Sequence, residues 1–288
     1  MEVIGLLLMT NRKVIKKNSN TTLINIKDSR LSIQFNLDGF SFCITNNTTK
    51  EVVYFSEYLF EEKQITPENL LQKIEEIFKT DEYLQKDFSS VLVIHQNNLF
   101  TLVPNIYFSE NKLSEYLNFN IKTLATDFIA FDDIKVINAK NVYIPYVNIN
   151  NYLFHNFGDF EYKHHLTVFI ETILAISNSD EKKVYVNVSK NSIDIVVIKD
   201  KQLELSNSFN FQTKEDFIYH ILFTFEQLKL DVEEVKLYFT GAIELESEIY
   251  TITYQYIRNI FFLESNNSIF SKLDASKHSN YTLFNSWE

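Results

Sequence analysis

The chain has 288 residues, 45% hydrophobic and 15% aromatic, which makes it long enough for two ordinary domains and too apolar for disorder over most of its length. Its formal charge of −11 repels phosphate backbones and argues against nucleic acid as a direct ligand. A single cysteine, Cys43, permits no internal disulfide and fits a reducing compartment, so a cytoplasmic protein is expected.

Val3 to Met9 come first in the chain: seven apolar residues, far short of the roughly 20 needed to span a bilayer. No basic region precedes them and no small-residue cleavage site follows, so a signal peptide fits poorly. Residues 1–26 are read as a disordered leader or a start placed too early, with Met9 the natural start. The basic run Arg12 to Lys17 is read as a solvated arm.

Leu31, Ile33, Phe35 and Leu37 then alternate with Ser32, Gln34, Asn36 and Asp38, the period of a strand with one buried face. After Asp38-Gly39 the alternation resumes at Phe40, Phe42 and Ile44, and Asn46-Asn47 turns the chain into Val52 to Phe55. Thr66-Pro67 opens a helix, because threonine can cap orphan amides and proline is pre-set for the first helical position. Its apolar face is Leu70, Leu71, Ile74, Ile77 and Phe78, and Val91 to Ile94 follow as a strand buried on both faces.

The same order returns further on. Val184, Val186 and Val188 alternate with polar residues, Lys190-Asn191 turns the chain into Ile193, Ile195 and Val197, and Leu203, Leu205 and Phe209 mark a third strand. Thr213 with Asp216 approximates a capping box, ahead of a stripe of Phe217, Ile218, Ile221, Leu222, Phe225 and Leu228. Val235, Leu237 and Phe239 close the unit. Agreement down to caps and turns predicts a duplication. The repeated unit resembles the half-domain of the ribonuclease-H-like folds, so the expected class is α/β: a duplicated ribonuclease-H-like (actin-like ATPase) fold of two βββαβα-type domains with mixed sheets. The expected division is a first domain over 27–145, a connecting segment over 146–180 and a second domain over 181–288.

Such halves grip a nucleotide through glycine-rich turns, where backbone amides approach phosphate without a Cβ in the way. A protein of this length carries on the order of 20 glycines at about 7% usage; this one has Gly5, Gly39, Gly158 and Gly241. Two stand at suggestive places. Asp38-Gly39 occupies the first hairpin of copy one, where actin-like ATPases place an acidic residue and glycine at the phosphate. Thr240-Gly241 follows the last strand of copy two, where they place glycines under the adenosine. Copy two, however, has Ser189-Lys190-Asn191-Ser192 in its first hairpin, with neither aspartate nor glycine. Asp38, Gly39, Thr240 and Gly241 are therefore the candidate residues of a degenerate cleft, with no cofactor expected and ATP with Mg²⁺ as the alternative.

Other chemistry is sparse. His164 and His165 are adjacent and diverge on either kind of element, so they do not jointly bind one metal. Cys43 reads as a small core residue and His95 as a structural histidine. Between the copies, Val142 to His165 is dense in aromatics and asparagine, with Asn148, Asn150 and Asn151 expected to cap a helix containing Tyr152 and Leu153. Exposed tyrosines of Tyr143 to Tyr162, or the cleft mouth, are the expected contacts of a protein partner.

That aromatic segment, the hairpin Leu31 to Ile44 and the stretch Tyr254 to Ile260 resemble a bacterial family known as domain of unknown function 3822, from about Lys27 onward. The resemblance implies an actin-like ATPase fold and supplies no catalytic residues. Through the neighbourhood of the family's genes it points to a ribosomal-RNA methyltransferase as a partner. The expectation is a non-catalytic interaction or scaffold module, a pseudo-ATPase; the alternative is an ATPase or sugar-kinase-like enzyme with Asp38 on Mg²⁺ and Thr240-Gly241 against the adenine.

Overall fold

The computed structural model describes residues 15–18, 26–61, 66–177 and 180–287. Expectations for the leader lie outside these, except that Ile15–Asn18 form a strand, β1. The chain then runs through β2 (Ser29–Asn36), β3 (Gly39–Asn46), β4 (Val52–Leu59), α1 (Pro67–Thr80) and β5 (Ser90–His95). After these come β6 (Phe100–Pro104), α2 (Leu113–Leu117), β7 (Ala130–Ile134) and β8 (Ala139–Tyr143), followed by α3 (Val147–Phe157), β9 (Glu161–His164) and α4 (His165–Ile176). The second half comprises β10 (Lys183–Val188), β11 (Ser192–Lys199), β12 (Gln202–Asn210), α5 (Lys214–Gln227) and β13 (Lys236–Gly241). It ends with α6 (Glu248–Tyr256), β14 (Asn259–Phe262) and α7 (Tyr281–Phe284).

Two mixed sheets repeat one topology. The first has the order β1-β4-β3-β2-β5-β9 and the second β12-β11-β10-β13-β14, so that β4-β3-β2-β5-β9 and β12-β11-β10-β13-β14 correspond strand for strand. In each, the hairpin strands are antiparallel and the last two join in parallel. Residues 146–164, read from sequence as the start of a connector, supply α3 and β9 of the first unit, as α6 and β14 complete the second.

Strand parity explains the layering. Leu31, Ile33, Phe35, Phe40, Phe42, Ile44, Val91 and Val93 point to α1 and α3, while Cys43, Phe55, Leu92 and Ile94 point the other way, towards Val168 of α4 and Leu283 and Phe284 of α7. A sheet covered on both faces needs the uninterrupted apolar run of Val91 to Ile94. The second sheet repeats this. Val184, Val186, Ile193, Ile195, Leu237 and Phe239 pack with α5, and Tyr185, Val196 and Ile198 face Leu166, Phe169, Ile170 and Ile173 of α4. Helix α4 is thus gripped between the sheets and buried on nearly every side.

Both predicted helix stripes are buried. Leu70, Ile74, Ile77 and Phe78 lie in the first core, Leu71 packs at its edge, and Phe217, Ile218, Ile221 and Phe225 lie in the second. The asparagines of α3 differ from expectation. The helix begins at Val147 behind Tyr146 with no side-chain cap, leaving Asn148, Asn150 and Asn151 inside its first turns. From there Asn148 donates to the Pro67 carbonyl at 2.9 Å and Asn150 bonds His95 at 2.9 Å, so these two dock the helix rather than cap it. The sheet β6-β8-β7 with α2 forms an insert whose small core includes Val103, Leu117, Val142 and Ile144. No helix among the described residues is long and apolar enough to cross a membrane.

Candidate functional site

A cleft of about 1040 Å³ opens between the two units. Its walls are the β2–β3 hairpin, the β10–β11 hairpin, the end of β4, the residues after β13 and the C-terminal stretch before α7. Asp38, Gly39 and Gly241 line it; Thr240 is fully buried beneath and donates to Asn187 Oδ1 at 3.1 Å.

Each candidate has a structural occupation. The Asp38 amide donates to Asn36 Oδ1 at 2.8 Å, closing the hairpin, and the Asp38 carbonyl accepts from Phe60 N at 2.9 Å. A Cβ at Gly39 would stand 2.9 Å from the Tyr58 carbonyl oxygen, so glycine lets β3 pass β4. Gly241 has φ +86°, and a Cβ there would stand 2.1 Å from the Val188 oxygen. Both glycines are accounted for by contacts within the fold.

The backbone amides around the cleft are spent internally as well. Ser189 N donates to Ser192 O at 2.8 Å, Gly241 N to His278 O at 2.8 Å and Ala242 N to Val188 O at 2.7 Å. With the Asp38 amide, four donors that a phosphate would need already have partners.

Residues not singled out as site residues build the floor. Gln96 Oε1 accepts from Gln34 Nε2 at 3.0 Å and Asn36 Nδ2 at 3.1 Å, and its own amide donates to Ser189 Oγ at 2.7 Å, tying the first sheet to the second hairpin. His165, at the start of α4 and only 2% exposed, also lines the cleft; its Nε2 lies 3.1 Å from Asp194 Oδ2. Asp194 further accepts from Asn187 Nδ2 at 3.0 Å and from the Ser208 hydroxyl. Burial pushes the Asp194 carboxyl up, but the neighbouring His165 and these hydrogen bonds outweigh it and hold the group below its ordinary value. An aspartate inside Ile193-Asp-Ile-Val-Val-Ile198 was the available signal, since a charge mid-strand is retained only with partners.

The remaining candidates are structural. Burial lowers His95 to about 4, and the neutral ring bonds Asn150 and accepts from Tyr146 N at 3.2 Å. Burial pushes the Cys43 thiol up to about 12, which leaves no thiolate to act as nucleophile. His164 turns to Asn141 and the Asn97 carbonyl, away from the Asp194 partner of His165. No group of three or more metal-ligating side chains occurs among the described residues. In the aromatic segment Tyr143 and Tyr146 are buried, and the half-buried Tyr152 packs edge-on against Phe78 at 5.3 Å, because α3 lies on the first sheet.

Two ribonuclease-H-like units, in matching strand order and facing across a cleft, define an actin-like ATPase fold. Within it, the chain belongs to the family described as "Protein of unknown function (DUF3822)", whose model matches residues 18–260. A Bacteroides thetaiotaomicron protein described as having an actin-like ATPase fold and unknown function is similar at TM-score 0.73 and 25% identity, over 84% of this chain and 94% of that one. A component of the PilM–PilN type IV pilus biogenesis complex is similar in fold at TM-score 0.56 and 9% identity, over 91% of this chain and 98% of that one. No curated protein matches the sequence.

Proposed function

We propose that the chain is a non-catalytic protein-interaction module that keeps an actin-like fold around a degenerate nucleotide cleft. The observation that carries this reading is that the amides of Asp38, Ser189, Gly241 and Ala242 are already hydrogen bonded within the protein. A phosphate entering here would have to break those bonds, and the cleft carries Asp38, Glu57, Glu61, Glu244 and Asp274 against Lys190 alone. Support for an interaction role comes from the insert, which exposes Ile106, Tyr107, Phe119, Leu124, Phe128 and Val136. The PilM–PilN neighbour is itself part of an assembly. The ribosomal-RNA methyltransferase suggested by gene neighbourhood is the first partner to try.

The test is thermal unfolding with millimolar Mg-ATP, GTP or ADP. No shift is expected, and heat-extracted protein should release no nucleotide absorbance. A genuine nucleotide site would add about 2.7 kcal/mol at a hundredfold excess over its dissociation constant. A gain of that size, abolished by Asp38→Ala, would replace this reading with the ATPase alternative.

A further inference from the structure

Two acceptor atoms of residues that line the cleft are buried and take no hydrogen bond from any described residue: Gln34 Oε1 and Asp38 Oδ1. The orientation of the first is not arbitrary. Gln34 must turn Nε2 to Gln96, whose Oε1 is fixed by a second donor, Asn36, which leaves Gln34 Oε1 free. Buried acceptors without donors are uncommon in folded proteins, and two at one cavity mark a place suited to receive donors.

Charge and shape narrow what arrives. Five carboxylates against one lysine repel an anion, and the lysine is turned to the Glu61 carbonyl at 3.4 Å. A neutral donor would leave the Asp38 charge uncompensated. The same cleft also presents Leu59, Ala242, Leu273 and Ala275, apolar surface of the kind that the methylene stem of a lysine or arginine covers. At about 1040 Å³ it is far larger than one ammonium group needs and suits a short length of chain.

We infer that the interdomain cleft receives a basic peptide segment of a partner protein, whose lysine ammonium or arginine guanidinium donates to Asp38 and Gln34. This inference rests on the interaction-module reading and specifies where and by what chemistry the partner is held. The peptide charge supplies the compensation that the cleft carboxylates lack, and multiple N–H donors match multiple acceptors.

The experiment uses the full chain and a fluorescein-labelled peptide of alternating glycine and lysine, read by anisotropy, with a glutamate counterpart, spermidine and Mg-ATP as parallel arms. The lysine peptide should bind, the glutamate peptide should not, and added salt should weaken the complex. Asp38→Asn should weaken binding by at least about tenfold, whereas Glu226→Gln, which removes the same charge from the exposed face of α5, should leave it unchanged. Should Asp38→Asn melt early, the exposed rim variant Glu61→Gln serves against the same control and should still weaken binding. Equal losses at cleft and control positions would show mere attraction to an acidic protein and overturn the inference. Spermidine binding as tightly as the peptide would overturn the choice of a peptide segment. Absence of lysine-peptide binding would sink the inference alone, leaving an interaction module whose partner sits elsewhere, such as on the insert. Asp38-dependent stabilisation by Mg-ATP would sink the interaction-module reading itself.

Discussion

The two units share a strand order and diverge in what they bury. Between β5 and β9 the first unit carries residues 96–160, including the whole insert and α3; between β13 and β14 the second carries only residues 242–258 and α6. Each also holds a buried carboxylate, and the two carboxylates behave oppositely. Asp132 is pushed up to about 6, because burial outweighs its bonds to Tyr143, His164 N and Thr167. Asp194 is as deeply buried, yet His165, Ser208 and Asn187 hold it low. A shared scaffold therefore leaves the local donor set to decide whether a buried carboxyl stays charged. In the second unit the charged one sits beside the cleft.

The glycines offer the sharpest way to break the correspondence. Gly241→Ala should cost more than about 4 kcal/mol, since its Cβ would meet the backbone of β10, paired to β13 at Val188, and its positive φ adds strain. Gly39→Ala would bring its Cβ to 2.9 Å from the Tyr58 backbone oxygen, which must shift, but the contact is less severe than that at Gly241 and no positive φ adds strain, so it should cost roughly 1–3 kcal/mol. Midpoints of urea unfolding rank the two, and the reverse order would mean that Gly39 is the more tightly packed turn. Next in size are the helix stripes. Ile74→Ala and Ile221→Ala each empty a fully buried site at an equivalent position and should each lose about 3 kcal/mol. A loss at one and none at the other would break the equivalence.

The titration of the first unit comes next. His95 falls from 6.5 to about 4, so its neutral form belongs to the fold: the associated stability is full above pH 6.5 and is lost as pH falls towards 4. Asp132 rises from 3.8 to about 6, so its stability is full below pH 3.8 and is lost as pH climbs towards 6. The two oppose each other across the same window. Relative to the wild type, His95→Gln should make stability fall with rising pH between 4 and 6, and Asp132→Asn should make it rise more steeply, each by on the order of 2 kcal/mol. Thermal melts across that range read the slopes, and slopes changing in the same direction would contradict the two assignments.

Much of this arrangement could be read from the residues, because strand parity and caps are local. Leu31 to Phe35 and Val184 to Val188 announce one buried face by alternation, and Thr213 with Asp216 announces a helix start. The insert was not visible, since Phe100–Pro104 and Ala139–Tyr143 are short and carry no strong alternation. In the site, Asp38, Gly39 and Gly241 reach the cleft because turn residues mark strand ends, where such clefts open. His165 and Asp194 lie 29 residues apart, on a helix and a strand brought together only by the closing of the second sheet on α4. Asn148 and Asn150 mislead for a related reason: their side chains serve α1 and His95, contacts that no local pattern encodes.

The smallest expected difference is also local, and it tests the repeat where duplication first showed. Thr66 accepts from Asn69 N at 3.3 Å at the head of α1, with Pro67 supplying the first helical residue. Thr213 accepts from Asp216 N at 3.1 Å, and Asp216 returns the bond to Thr213 N at 3.2 Å, a reciprocal box that α1 lacks because Asn69 Oδ1 accepts from the Thr66 hydroxyl at 2.9 Å instead. Alanine at either threonine removes a partner from an orphan amide and should cost about 1 kcal/mol. At Thr213 the Asp216 carboxylate keeps its bonds to the backbone of Gln212 and Thr213, so part of the cap survives and the loss there should be the smaller. Double variants with Asn69→Ala and Asp216→Ala separate the contributions: the second replacement should add a further loss in α5 and almost none in α1. Equal additional losses in both helices would mean that Asn69 caps α1 as Asp216 caps α5, and that the two helix starts are equivalent in mechanism as well as in position.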